Sequence, residues 1–269
     1  MDALTQLDTW PVGHAAAAVV GPHGLLGTHG SVDRPFPLAS VTKPLAAMAC
    51  LVAVEEGAVD LDEPAGPAGS TVRHLLAHAS GLAFDRVQRA AAPGTRRIYS
   101  NTGFEALGEH VAVATGMPFA EYFHQALCEP LSLDSTALDG SPAHAATSTV
   151  NDLARVAIEL LNPTVLHPDT VTEATTVQFP GLTGVLPGFG RQVHNDWGLG
   201  LEIRDSKSPH WTGTGNSPAT FGHFGRSGTF LWVDPVARLA CVVLTDRTFG
   251  DWAAQAWPPL SDAILTEAS

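Results

Sequence analysis

Apolar positions fall into two kinds of run along this chain, short ones of strand length at the two ends and longer helical ones between. His14–Val20 and Leu25–His29 are short runs joined by Gly21-Pro22-His23-Gly24. Glycine and proline there supply turn geometry, so the pair predicts a β-hairpin. From Pro44 to Glu56 the chain is apolar nearly all round, with Leu45, Met48, Ala49 and Val52 in the run. That pattern predicts a buried helix, with Pro44 in a first turn where a missing N–H costs little and Gly57 as the stop. Helical patterning continues over Thr71–His78, ending at Ser80-Gly81, over Thr102–Thr115, stopped by Gly116, and from Pro118 to Cys128. A further helix runs to Leu161, with Thr149 or Asn151 as its cap. Strand patterning returns at Trp197–Ile203, Phe221–Phe224, Thr229–Val233 and Leu239–Thr245. A last helix is expected from about Asp251 toward Ala268, interrupted at Pro258-Pro259. Strands at both ends with helices between predict an α+β fold, an antiparallel sheet flanked by helices with an inserted helical lobe.

Composition narrows the partners. With 269 residues, 45% of them hydrophobic, the chain can bury a full core. Its 27 acidic residues against 14 basic ones give a formal charge of −13, which argues against nucleic acid. Cys50, Cys128 and Cys241 are odd in number, far apart and each inside an apolar segment. They read as buried thiols, with neither a disulfide framework nor metal-ligand spacing. No apolar run reaches the length of a membrane span, and Met1–Asp8 has neither a basic nor an apolar leader region. A cytoplasmic protein without a membrane partner is the expectation.

The candidate chemistry begins at Ser40-Val41-Thr42-Lys43, which holds one of the chain's two lysines, the other being Lys207. A serine and a lysine three apart at a helix start share a face, which sets an amine beside a weak nucleophile. A second group is Tyr99-Ser100-Asn101, after Pro93-Gly94-Thr95, with one of only two tyrosines. A third is Gly222-His223-Phe224-Gly225-Arg226-Ser227-Gly228, leading into Phe230–Pro235. Each has an ordinary reading: a capped core helix with a snorkelling lysine, a turn with an N-cap, a strand histidine beside a bulge glycine. Their occurrence together and in order favours chemistry. His74 and His78 lie four apart and could ligate zinc, yet no third ligand group presents itself, so structural hydrogen bonds are expected. Arg96-Arg97 reads as a solvated pair. Gly198-Leu199-Gly200 is too short for a dinucleotide fingerprint, and no G-x-S-x-G elbow occurs.

Together the three groups resemble the S-x-x-K, S-D-N and K-T-G motifs of the serine β-lactamase and penicillin-binding protein superfamily. The Tyr-Ser-Asn and His-x-Gly forms are most similar to its class C branch, which holds β-lactamases, D-alanyl-D-alanine carboxypeptidases, D-aminopeptidases and family VIII esterases. Leu75–Leu82, Ser148-Thr149 before Asp152–Arg155, and Trp197–Gly200 extend the resemblance. It implies a β-lactamase-like fold, with residues 1–60 and 185–269 as a sheet lobe, 61–184 as a helical lobe, and one catalytic site between them.

By the same resemblance Ser40 is the acylated nucleophile, and Lys43 and Tyr99 share its proton. Tyr99 is able to act as a phenolate base beside the Lys43 cation. Asn101 holds the acyl group and steadies Lys43, while His223 orients Tyr99 or helps to protonate the leaving group. Backbone N–H groups of Ser40 and Arg226 form the oxyanion hole, with Phe224, Gly225 and Arg226 in the substrate site. No metal or organic cofactor is implied, and the expected partner is a small-molecule acyl substrate. Two departures matter. The chain is short for the branch, and Phe224 stands where a small residue, usually Thr, helps to hold a carboxylate. Shortness suggests trimmed loops, while Phe224 and the expected lack of a leader turn the expectation toward small esters or amides, with a β-lactamase or D,D-carboxypeptidase-type peptidase as the alternative. A non-turnover acyl-binding or sensor protein is the alternative of another class.

Overall fold

In the computed structural model, which describes residues 1–268, a 3₁₀ stretch over Asp2–Thr9 leads into β1 (Ala15–Gly21) and β2 (Gly24–Gly30). A short β3 (Phe36–Pro37) and a 3₁₀ turn at Ala39–Val41 open α1 (Thr42–Glu55). The helical middle comprises α2 (Val72–Leu76), α3 (Asn101–Thr115), α4 (Phe119–Phe123) and α5 (Glu129–Leu131), then, past the short β4 (Ala137–Leu138) and β5 (Ala146–Ser148), α6 (Val150–Leu161) and α7 (Pro168–Ala174). The hairpin β6 (Gly184–Leu186) and β7 (Gly190–Gln192) precedes β8 (Glu202–Ile203), β9 (Phe221–Gly225), β10 (Thr229–Asp234) and β11 (Leu239–Thr245), and α8 (Asp251–Glu267) closes the order.

One antiparallel sheet organises the molecule, in the order β2-β1-β11-β10-β9-β8. The hairpin at the start and the strands at the end therefore pair as neighbours, Val19 opposite Cys241. Successive side chains of a strand point to opposite faces, so the central strands feed two cores. Ala16, Ala18, Leu231 and Val242 pack with α1 and α6, whereas Ala17, Val19, Trp232 and Cys241 pack with the N-terminal 3₁₀ stretch and α8. Burial on both faces explains why these strands read as unbroken apolar runs.

Several boundaries differ from the sequence reading. The expected strand Trp197–Ile203 is a turn for most of its length, with Gly198 N–H donating to the Leu201 carbonyl and only Glu202–Ile203 paired as strand. Gly200 has φ +77° and a side chain there would strike Ala47 at 2.2 Å, so the chain turns against α1 where only glycine fits. The prolines at 258 and 259 do not interrupt α8. Trp257 and Leu260 on either side of them are fully buried, and that packing carries the helix across the lost donors. The segment from Pro118 to Cys128 splits into α4 and a π turn over His124–Cys128. Thr149 is the cap of α6, its hydroxyl accepting from Asp152 N–H. All three cysteines are free and buried. Among the described residues no helix is long and apolar enough to cross a membrane.

Candidate active site

Ser40 sits in the tight turn between β3 and α1. Its neighbour Ala39 has φ +47°, the left-handed region that costs a residue with a Cβ of order 1 kcal/mol or more. The surroundings hold that conformation. Leu38 N–H donates to the Ala146 carbonyl at 2.9 Å, and the Leu38 carbonyl accepts from Thr229 Oγ1 at 2.8 Å. Gly225 at the end of β9 completes the seat. A Cβ there would lie 2.3 Å from the Leu38 oxygen and 3.3 Å from Ser40 N, so the strand approaches the serine only because this residue has no side chain.

One helical turn after Ser40, Lys43 is fully buried. Its Nζ donates to Asn101 Oδ1 at 2.6 Å and to the Ala143 carbonyl at 2.9 Å, and stands 4.6 Å from the centre of the Tyr99 ring. Burial lowers its pKa to about 7, against a smaller upward pull from the charges of Asp85 and Glu105. The amine therefore exists in both forms near neutrality. Asn101 begins α3, capped by the Ser100 hydroxyl, and its Nδ2 donates to Asp85 Oδ1 at 2.7 Å. That second bond fixes which end of the amide faces Lys43.

Tyr99 lies at hydrogen-bond contact with the Ser40 side chain, and its hydroxyl is 3.4 Å from His223 Nε2. His78, Trp197 and Phe84 pack around its ring, with centroids 4.6, 5.7 and 5.9 Å away. Burial raises the phenol pKa, the Ser40 bond only partly offsets this, and the Asp85 charge adds to the rise. The raised pKa disfavours a Tyr99 phenolate at rest, whereas the Lys43 amine is poised near neutrality. His223 is buried, with Nδ1 2.7 Å from the Phe224 carbonyl. That contact makes Nδ1–H the donor and leaves Nε2 to accept. Burial and the Lys43 charge bring its pKa down to about 3, so the ring is neutral.

These groups open on a cleft of about 310 Å³ lined by Ser40, Tyr99, Trp197, Glu202, His223, Phe224 and Arg226, with Phe84, Leu186, Pro187, Gly188 and Phe249 completing its wall. Phe224 is half-buried and leans on Phe249 and Trp211, with ring centres 5.0 and 5.8 Å away. Arg226 is exposed at the mouth. All eight residues singled out in the sequence thus converge: five line the cleft, Lys43 and Asn101 stand behind it, and Gly225 abuts the serine turn.

Other participants were not visible in the motifs. The Ala143 carbonyl and Asp85 come from loops with no signature of their own. Arg97 corrects the solvated-pair expectation. It is only 2% exposed and donates to the carbonyls of Asn195, Ala77 and Gln178 at 2.9, 2.5 and 2.6 Å. Burial lowers its pKa to about 10, yet it stays charged at neutral pH and ties three loops behind Tyr99. His74 and His78 hold structural hydrogen bonds, His74 with the Thr71 hydroxyl and His78 Nδ1 with Ser100 N–H. Among the described residues no group of three metal-binding side chains forms.

The family model "Beta-lactamase" matches residues 15–265. A crystal structure described as a β-lactamase from Mycobacterium bovis is 61% identical, with a TM-score of 0.98 and 99% of each chain covered. EstCE1, described as a hydrolase with promiscuous acyltransferase activity, shares the fold at 16% identity, with a TM-score of 0.80 over 98% of this chain and 96% of its own. The D-alanyl-D-alanine-carboxypeptidase/endopeptidase AmpH of Escherichia coli (strain K12) is 26% identical over 148 residues, 41% of this chain and 38% of AmpH. The chain spans about half the length, or less, of the curated relatives it matches.

Proposed function

The chain belongs to the β-lactamase family, and on that premise we propose that it is a serine hydrolase working through an acyl-serine intermediate on small esters or amides with a neutral acyl group. The observation that carries this reading is Lys43, a buried amine with no carboxylate in contact, poised near neutrality beside Tyr99 and one turn from Ser40. Ser40 Oγ attacks the acyl carbon while its proton passes through the Tyr99 hydroxyl to the Lys43 amine, so no free phenolate accumulates. The N–H groups of Ser40 and Arg226 take the developing oxyanion, and Asn101 positions the acyl group. At rest His223 Nε2 accepts from the Tyr99 hydroxyl, which turns from it toward Lys43 for the transfer. The proton returns to the leaving group, and water then reverses the sequence to release the acid.

Phe224 supports small neutral substrates over penicillins or D-Ala-D-Ala peptides, because it lines the cleft with a ring and offers no hydroxyl to the carboxylate that those substrates carry on their leaving half. One feature favours the β-lactam or D,D-peptide alternative. Arg226 is exposed at the cleft mouth, where its guanidinium could take a carboxylate in bidentate fashion. Ser40→Ala should abolish covalent labelling by a fluorophosphonate while the circular dichroism spectrum stays that of the parent. Peptide mass spectrometry placing the label on another serine would remove Ser40 from its role. A permanent mass gain from a simple ester would favour the non-turnover sensor, whereas a transient one supports the hydrolase.

A further inference from the structure

Between Gly81 and Ala91 the chain folds back on itself as a tight loop. Leu82 bridges to Arg89, Ala83 N–H donates to the Gln88 carbonyl at 2.9 Å, and Ala90 N–H donates to the Gly81 carbonyl at 2.8 Å. Gly81 has φ +82°, and a Cβ there would lie 2.2 Å from the Ala91 oxygen, so the two arms close only on glycine. One arm is stapled to the start of α3. The Phe84 carbonyl accepts from Asn101 N–H at 2.8 Å and from Thr102 N–H at 3.2 Å, and the Phe84 ring stacks on Tyr99. Asp85 follows, at a helix N-terminus where a carboxylate is favoured. It is exposed, no cation pairs with it, and its side-chain partner among the described residues is Asn101 alone, whose Nδ2 donates to Oδ1 at 2.7 Å. The Asn101 amide is thereby engaged at both ends, with Oδ1 facing the buried Lys43 and Nδ2 facing the exposed carboxylate. Asn101 is only 9% exposed beneath it, so little of the amide is open to a ligand.

We propose that Asp85 is a positioning residue that sets specificity: it covers the Asn101 donor and turns the enzyme away from acyl halves that carry an amide carbonyl beside the scissile bond. The inference rests on the acyl-serine reading above and narrows its substrate class to plain acyl esters and amides. A plain alkyl chain makes no demand on the Nδ2 donor and packs against the covered amide as it stands. An amide carbonyl, as in N-acylated peptides and penicillins, needs a donor in exchange for the water it loses, and the donor at this place is already used. Such a substrate must displace Asp85, breaking a charge-assisted bond to form a neutral one, and that exchange is unfavourable. The selection is separate from that of Phe224, because Asp85 acts on the acyl half through Asn101 and Phe224 acts on the leaving half.

The test compares phenyl pentanoate with phenyl N-acetylglycinate, which share a leaving group and an acyl chain of equal length and differ by an amide within that chain. The quantity read is the ratio of kcat/KM for the amide-bearing ester to that for the plain one. Intrinsic reactivity, and any change at Lys43, cancels from this ratio when variants are compared with the parent. Asp85→Ala should raise it about fivefold, the size of one neutral hydrogen bond, mainly through KM. Asp85→Asn keeps an acceptor for Asn101 Nδ2 and should stay within about twofold of the parent. An unmoved ratio in Asp85→Ala, with the circular dichroism spectrum of the parent, overturns the proposal. So does an equal rise in Asp85→Asn, which would assign the effect to charge rather than to the occupied donor. The acid-quenched mass of the protein mixed with phenyl pentanoate separates the two readings. Neither adduct at Ser40 nor turnover would overturn the hydrolase itself, whereas an adduct with an unmoved ratio overturns the role of Asp85 alone.

Discussion

Lys43 and Lys207, the two lysines of the chain, are both withdrawn from solvent, yet their charges are compensated in different ways. Lys207 Nζ donates to Glu202 Oε1 at 2.5 Å and to the Asp196 and Ile203 carbonyls. Glu202 in turn accepts from His210 and from Trp211 Nε1 at 3.0 Å. Burial alone would push the Glu202 carboxyl up, but the neighbouring His210 and Lys207 outweigh it and hold the group well below the usual carboxylate range. Lys43 has only an amide oxygen and a carbonyl, and burial prevails. A buried lysine beside a carboxylate is half of an ion pair that organises a loop. One beside neutral oxygens is a proton that can leave, which is the property a base needs.

The sharpest way to break this contrast is to replace each lysine with methionine. Lys43→Met should lose at least about two orders of magnitude in kcat/KM, the scale of general base catalysis, and gain stability. The sign follows from the depressed pKa. Below about pH 7 Lys43 is charged in the folded and unfolded states alike, and folding bears the full cost of burying it. Between there and 10.5 the unfolded chain binds more protons, so stability rises with pH. The advantage of Lys43→Met should thus be largest below pH 7 and shrink toward pH 10. Lys207→Met should do the reverse, leaving Glu202 buried without its cation at a cost of about 3–5 kcal/mol. Its kcat/KM, measured well below the melting temperature, should stay within about tenfold of the parent. Urea unfolding and steady-state kinetics of both variants decide the matter. Equal catalytic losses would make the two lysines one machine.

A pH profile sharpens the same point. If Lys43 is the acceptor, kcat/KM should rise about tenfold per pH unit up to about pH 7 and then level off. His223, with its pKa near 3, should add no limb above pH 5. Because the Asp85 charge raises the Lys43 pKa, Asp85→Asn should move the acidic limb to lower pH. A limb that stays in place in that variant would assign it to another group.

What the sequence disclosed divides along the same line. Ser40, Lys43, Tyr99, Asn101 and His223 were legible because motifs of three or four residues carry them. Strands β1, β2, β9, β10 and β11 were legible because their apolar runs and turns are local, whereas the edge strand β8 was not. The compensated pole was not. Glu202 is held by Lys207, His210 and Trp211, and Lys207 also reaches the Asp196 carbonyl, along a stretch where the pattern suggested strand at first and then nothing. Arg97 resembled its exposed neighbour Arg96, since the carbonyls that satisfy it come from residues 77, 178 and 195. The depressed pKa of Lys43 likewise comes from burial by distant segments, and its partner carbonyl at Ala143 lies a hundred residues away. Tertiary satisfaction of a buried cation leaves no local signature.

The smallest effect expected is at Phe224, which lies between the two poles. Its ring packs on Trp211, whose Nε1 binds Glu202, and its backbone carbonyl receives the His223 Nδ1 proton. Phe224→Thr should therefore act in both directions. Removing a half-buried ring that also touches Phe249 and Trp257 should cost stability, about 2 kcal/mol for a large-to-small change of this kind. The new hydroxyl can donate to a substrate carboxylate, worth about 1.5 kcal/mol at the low end of charge-assisted bonds, or roughly tenfold in affinity. In the parent, kcat/KM for short neutral acyl esters should exceed that for penicillins, and the substitution should narrow the gap by about tenfold or less. A ratio of the two substrates, taken at a temperature where both proteins are folded, isolates the hydroxyl from the stability loss. A parent enzyme that hydrolyses penicillins or cephalosporins faster than every simple ester would refute the neutral pocket argued from Phe224. Arg226, exposed at the cleft mouth, would then be the group that holds the carboxylate, and Arg226→Ala would be the variant that removes it.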